Sequence, residues 1–159
     1  MKRLELRRHA RRDPDADRLS SAGRADAEDA GRSSVGSYDV VYVSPAGRAA
    51  ETAAWFLRGA GVQLADHAVV PGLAGTDASG GSPEGMAAGV RALLDQMQDG
   101  WTGLAVSHTP LVERAALGLT GREVRPMAEL EGLLVTQADD GRVEVAELRN
   151  GPARSTEDG

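Results

Sequence analysis

The chain has no cysteine, so neither a disulfide framework nor a thiolate metal site is open to it, and composition leaves the redox compartment open. Aromatic residues are almost as scarce: two tryptophans, two tyrosines and one phenylalanine among 159 residues. A core must therefore be built from aliphatic side chains and close backbone approaches, which suits layered α/β packing. Lysine occurs once, as Lys2, so 17 of the 18 basic residues are arginine and a single arginine says little by itself. Positive charge is also outnumbered, with a net charge of −6 and a pI near 5.1. A protein whose whole surface binds polyanions is thereby excluded, and any anion site must be local. No apolar run approaches the roughly 18 residues that would span a bilayer, and the N-terminal stretch turns polar at Arg7. The expectation is a cytoplasmic protein without a membrane partner. Its length suits a single domain over residues 1–150, followed by a flexible tail at 151–159, where GPARSTEDG lacks an apolar pattern.

The remaining sequence alternates strand and helix signals. Residues 2–8 read as a short strand, YDVVYVSP (38–45) as a stronger one, LADHAVVPG (64–72) as a third, and WTGLAVSHTP (101–110) as a fourth that repeats the plan of an apolar run closed by polar residues and proline. Helical spacing predicts helices over 20–32, 46–60, 83–98 and from 111 to a stop at Gly121, the third opening on Pro83 and Glu84. LLVTQADDGRVEVAEL predicts two strands joined at Asp140-Gly141. Alternation of this kind implies a three-layer α/β/α sandwich with a mostly parallel sheet, in which ligands gather at the carboxyl ends of the strands. The connection PGLAGTDASGGSPEG (71–85), with five glycines and two prolines, is long enough to be a functional loop.

The first strand ends in LELRRHARRD, four arginines around one histidine. Two readings compete: a basic patch for nucleic acid and a site for a phosphoryl group. The chain has only three histidines, and two follow predicted strands, His9 after the first and His108 after LAVS. Arg48 opens the helix after YDVVYVSP, at the same predicted edge, where helix N-termini attract phosphate. The acids Asp13, Asp15 and Asp17 directly after the cluster, and the dearth of aromatics for base stacking, speak against nucleic acid. Zinc hydrolysis lacks both His-x-His and His-Glu-x-x-His, and His67 reads as structural or surface.

Arg8-His9-Ala10 after one strand, SPAGRAAETA (44–53) after the next and VSHTP (106–110) after a later one resemble the histidine phosphatase superfamily, the group of phosphoglycerate mutases and small phosphohistidine phosphatases. LSSAGRADAEDAG (19–31) is similar to the family's first helix, so the likeness runs from residue 4 to about 121. The resemblance implies a phosphoglycerate mutase-like fold and catalysis through a phosphohistidine on His9, with Arg8 and Arg48 clamping the phosphoryl oxygens and His108 donating to them. It implies no cofactor and no metal, the arginines supplying the positive charge.

The sequence also departs from the family pattern. Ala10 replaces a commoner glycine, Arg12 and Asp15 stand where threonine and asparagine are usual, and Leu73-Ala74-Gly75 carries glycine where mutase-like members place a glutamate proton donor. Thr109 follows His108, where other members have aspartate. Asp77 and Glu84 are then the possible proton donors. Phosphohistidine, whose imidazole leaves readily, suits a site with a poor donor, and the 15-residue connection leaves no room for a large cap. The expected function is a metal-independent phosphatase of the small phosphohistidine type. Its partner is a phosphorylated protein or a small phosphorylated metabolite. A small-molecule phosphomonoesterase is the alternative, and a phosphate-binding regulatory protein with little turnover is the rival of another class.

Overall fold

The computed structural model describes residues 1–34, 37–64 and 66–150, so the expected tail at 151–159 lies outside the described residues. Six strands form one sheet: β1 (Lys2–Arg8), β2 (Val40–Val43), β3 (Ala68–Val69), β4 (Thr102–Ser107), β5 (Gly132–Gln137) and β6 (Val143–Leu148), in the order β3-β2-β4-β1-β5-β6. The four strands from β3 to β1 run parallel, and β5 and β6 add an antiparallel hairpin at one edge. Helices α1 (Ser21–Ser33), α2 (Gly47–Ala60), α3 (Pro83–Gln96) and α4 (Leu111–Thr120) complete the layers. No helix among the described residues is long and apolar enough to cross a membrane.

Period-two alternation sorts the core. Leu4 and Leu6 of β1 are fully buried and pack with Val90 and Leu94 of α3, Val112 and Ala116 of α4, and Leu133 and Val135 of β5. On the opposite face Val41 and Val43 of β2 and Leu104 and Val106 of β4 meet Ala49, Ala53 and Phe56 of α2. Helix α1 lies against α2 rather than deep on the sheet, and its small-residue face is the reason. Gly23, Ala27 and Gly31 are buried, and a Cβ added at Gly31 would stand 1.8 Å from the carbonyl oxygen of Phe56. Only glycine allows the two backbones to approach so closely.

The predicted third strand shrinks to the two exposed residues of β3 at the sheet edge. The long connection after it is not one irregular loop: Pro71–Ala74 forms a 3₁₀ turn, and its buried Leu73 accepts a hydrogen bond at the carbonyl from the Ser107 hydroxyl. Ser82 then caps α3 by accepting from the amide of Gly85, with Pro83 in the first turn.

Register aligns the ends of the three central strands. Arg8 stands opposite Ser107 in the β1–β4 pair and Val43 opposite Val106 in the β2–β4 pair. Two backbone bonds continue these ladders past the strands, His9 N to Ser107 O at 3.0 Å and Ser44 N to Val106 O at 3.1 Å. His9, Ser44 and His108 therefore leave the sheet side by side at its carboxyl edge.

Candidate active site

His9 is only 7% exposed, and its Nδ1 lies 2.7 Å from the carbonyl oxygen of Ala10. A carbonyl can only accept, so Nδ1 carries the proton and Nε2 presents a lone pair. The amide of Ala10 is itself held by Thr52 Oγ1 at 3.0 Å, and that hydroxyl donates to the carbonyl of Arg48 at 2.7 Å. The loop that carries His9 is thus fastened to the first turns of α2.

Arg48 spans the two histidines with one guanidinium. Its Nε is 3.3 Å from His9 Nε2 and its second terminal nitrogen 3.4 Å from His108 Nδ1, and the imidazole centroids lie 5.2 Å apart. The first terminal nitrogen donates to Asp17 at 2.9 Å. On its other side His108 faces Ser44, with Nε2 and Oγ 2.6 Å apart. Burial, then the positive charge of Arg48 and Arg8, keeps His9 below the usual histidine range. Burial, then His9 and Arg48, pushes His108 down to about 4. Both rings are neutral at pH 7.

These three residues line a cavity of about 450 Å³ together with Arg114 of α4. Ala46, Ala74, Gly75, Gly80, Thr109, Pro110 and Leu111 complete its wall, and no carboxylate is among its described lining residues. The connection between β3 and α3 therefore forms part of the site, as its length suggests.

Arg8 sits beside this cavity rather than in its lining. One terminal nitrogen donates to Met127 O at 2.8 Å, the other is 3.6 Å from Glu129, and Nε is buried without a partner. Met127 is in turn fixed by Glu113, whose Oε2 accepts from the Met127 amide at 2.8 Å and from the hydroxyl of Thr109, the neighbour of His108. Arg7 points to the other face of β1, as period two requires, where it binds Glu5 at 2.9 Å. Arg11 pairs with Asp26, and Arg12 donates to the carbonyls of Asp13 and Ala16. None of the three lines the cavity.

Two expectations need correction. The amides at the start of α2 do not stand open for phosphate: the Asp17 carboxylate accepts from Gly47 N at 2.8 Å and Arg48 N at 3.1 Å, which with Arg48 itself holds Asp17 down to about 2. Nor is either expected proton donor in the cavity. Asp77 lines a separate apolar hollow between the 3₁₀ turn and α3, and hydrogen bonds from Ser79 hold its carboxyl below the usual range. Glu84 is exposed in the first turn of α3, where an acid complements the helix dipole. His67 is exposed and away from the site. Sequence reasoning passed over Asp17, Thr52, Glu113 and Arg114. Thr52 alone left a usable signal, a hydroxyl on the buried alanine face of α2.

The model of the histidine phosphatase superfamily (branch 1) matches residues 3–116. The chain belongs to that superfamily. Its three-layer fold, phosphoglycerate mutase-like, is shared with solved structures of low sequence identity. The protein histidine phosphatase SixA complexed with tungstate is 22% identical, with a TM-score of 0.70 over 92% of this chain and 96% of that one. Phosphoserine phosphatase from Entamoeba histolytica, in complex with 3-phosphoglyceric acid, is 17% identical with a TM-score of 0.75 over 95% and 98%. A putative alpha-ribazole-5'-P phosphatase from Escherichia coli is 16% identical with a TM-score of 0.71 over 94% and 96%. Among curated protein sequences nothing matches the chain.

Proposed function

We propose that the protein is a metal-independent phosphatase that carries the phosphoryl group on His9 and acts on phosphohistidine in a protein. The supporting observation is the pairing of an unprotonated His9 Nε2, held at 3.3 Å by the Arg48 guanidinium, with a cavity whose described lining has donors but no carboxylate. Nε2 attacks phosphorus in line, forming an N–P bond as the bond to the leaving imidazole breaks, and the departing nitrogen takes a proton from water. Water then attacks phosphorus. The bond to His9 breaks, its electron pair returns to Nε2, and the surplus proton passes to solvent.

Imidazole is a far better leaving group than an alkoxide, and it needs little help from a general acid. Asp17, held at about 2, is ionised and gives none. Arg48 supplies donors and positive charge to the phosphoryl oxygens, with His108 as a further donor and Arg8 adding positive charge from beside the cavity. No group of three or more His, Asp or Glu side chains among the described residues is arranged to hold a metal ion, and positive charge comes from arginine instead.

The test is a quench experiment. Brief exposure to a phosphohistidine peptide should leave acid-labile phosphate on the wild-type protein and none on His9→Ala, and EDTA should not slow turnover. Turnover of aryl and alkyl phosphates at rates equal to phosphohistidine would replace this reading with a small-molecule phosphomonoesterase. The missing acid also favours one reading of another class, a phosphate-binding regulatory protein. Phosphate binding without turnover of any of the three substrates would establish it.

A further inference from the structure

His108 poses a problem of proton placement. As a donor to a phosphoryl group it must present an N–H, yet the nitrogen that faces Arg48 is Nδ1, and a guanidinium only donates. Nδ1 therefore presents a lone pair in the ligand-free protein. The ring proton sits on Nε2, directed at Ser44 Oγ 2.6 Å away. Ser44 is 1% exposed, so the Nε2 side of the ring is sealed and no phosphoryl oxygen reaches it.

We propose that Ser44 is the positioning residue for His108: its buried hydroxyl holds Nε2, so that Nδ1 is the nitrogen turned towards the phosphoryl group. Three features carry this. The hydroxyl comes from the end of β2, which the β2–β4 register sets level with the end of β4 just before His108. The bond is short, and among the described residues the only other polar contact at Oγ is a long one from the Ala46 amide at 3.4 Å. A hydroxyl can also accept from Nε2–H or donate to a bare Nε2, so it keeps the ring in place in either protonation state of Nδ1, which a carbonyl or an amide in its place could not do. When a phosphoryl dianion replaces the Arg48 contact at Nδ1, its negative charge favours the charged ring, which takes up a proton from solvent and donates as an imidazolium from Nδ1–H. The ring need not turn.

The role of Ser44 rests on the phosphatase reading, so its test is arranged to fail separately. Nitrogen-15 spectra of histidine-labelled protein report which ring nitrogen is protonated without any turnover. The ligand-free wild type should show His108 as the Nε2–H form. Ser44→Ala should show a mixture of the two tautomers, and Ser44→Thr, which keeps the hydroxyl, should restore the single form. With an aryl phosphate, Ser44→Ala should lower kcat about tenfold with a smaller change in KM, and vanadate should bind about tenfold more weakly. Ser44→Thr should recover most of both losses.

A folded Ser44→Ala protein that keeps a single Nε2–H form and wild-type vanadate affinity would overturn the role given to Ser44 and leave His9 chemistry standing. A wild type that binds no vanadate would overturn the phosphoryl site itself, and with it the purpose assigned to the serine.

Discussion

Two polar clusters grow from neighbouring positions of β1 and end in opposite conditions. On the α2 side, Arg7 donates to Glu5 at 2.9 Å and to Leu130 O at 2.9 Å and lies over the Phe56 ring at 4.9 Å, while Tyr38 donates to the second oxygen of Glu5 at 2.9 Å. Each charge there meets its opposite. Burial and the Glu5 charge push the Tyr38 hydroxyl up to about 12, so it remains a donor at any physiological pH. Two residues further, His9, Arg48 and His108 share a single carboxylate, Asp17, which takes only part of Arg48. Donor capacity is left over on Arg48, and burial, with the guanidinium beside them, keeps both imidazoles neutral. A polar cluster that satisfies itself holds the fold together; one that lacks an anion is prepared to receive it.

The largest expected effects come from breaking the second cluster. His9→Ala should lower turnover at least about a thousandfold by removing the attacking atom, with little change in the urea midpoint. Arg48→Ala should lower kcat by about a hundredfold or more, because it removes the donor shared by both rings. Steady-state kinetics on an aryl phosphate measures both. In the first cluster the effect moves from activity to stability. Arg7→Ala strands the Glu5 carboxylate in a half-dry site and should cost about 3 kcal/mol in urea unfolding, whereas Arg11→Ala, which breaks an exposed pair, should cost less than about 1 kcal/mol.

A subtler difference is the response to acid. The unfolded chain protonates its histidines near pH 6.5, while folded His108 stays neutral down to about 4. The unfolded state therefore binds more protons in that window, and stability should fall as pH drops from about 6.5 towards 4. His108→Gln should flatten this slope when urea midpoints are compared at pH 7.5 and 4.5. Asp17 acts at lower pH: its carboxyl is held at about 2, so its contribution is present above the ordinary range near 3.8 and is lost as pH falls from there to about 2. Asp17→Asn should remove that smaller acid-limb loss.

Much of the site was legible because strand ends can be read along the chain. The run before His9 alternates buried Leu4 and Leu6 with charged residues, the run before His108 is almost wholly buried, and their positions put two of the three histidines at one edge. The helices were equally readable, from Pro83 and Glu84 at the start of α3 to Gly121 at the end of α4, since end signals and apolar spacing are local properties. Asp17 was not. It belongs to the chain before α1 yet caps α2, thirty residues away in sequence, and nothing near Asp17 marks that contact. Asp77 misled for the reverse reason, since closeness in sequence to the expected donor position put it in a different hollow in space.

By itself the sequence determined the order of strands and helices, the aliphatic core, the family and the pairing of His9 with His108, because each depends on local spacing or on a motif carried by consecutive residues. Tertiary structure alone decided what each charged group does. The β1–β4 and β2–β4 registers aligned the strand ends, laid Ser44 against His108 and sent Arg7 to the opposite face. Charge in a buried site is governed by what stands within a few ångströms, and those neighbours arrive from distant parts of the chain.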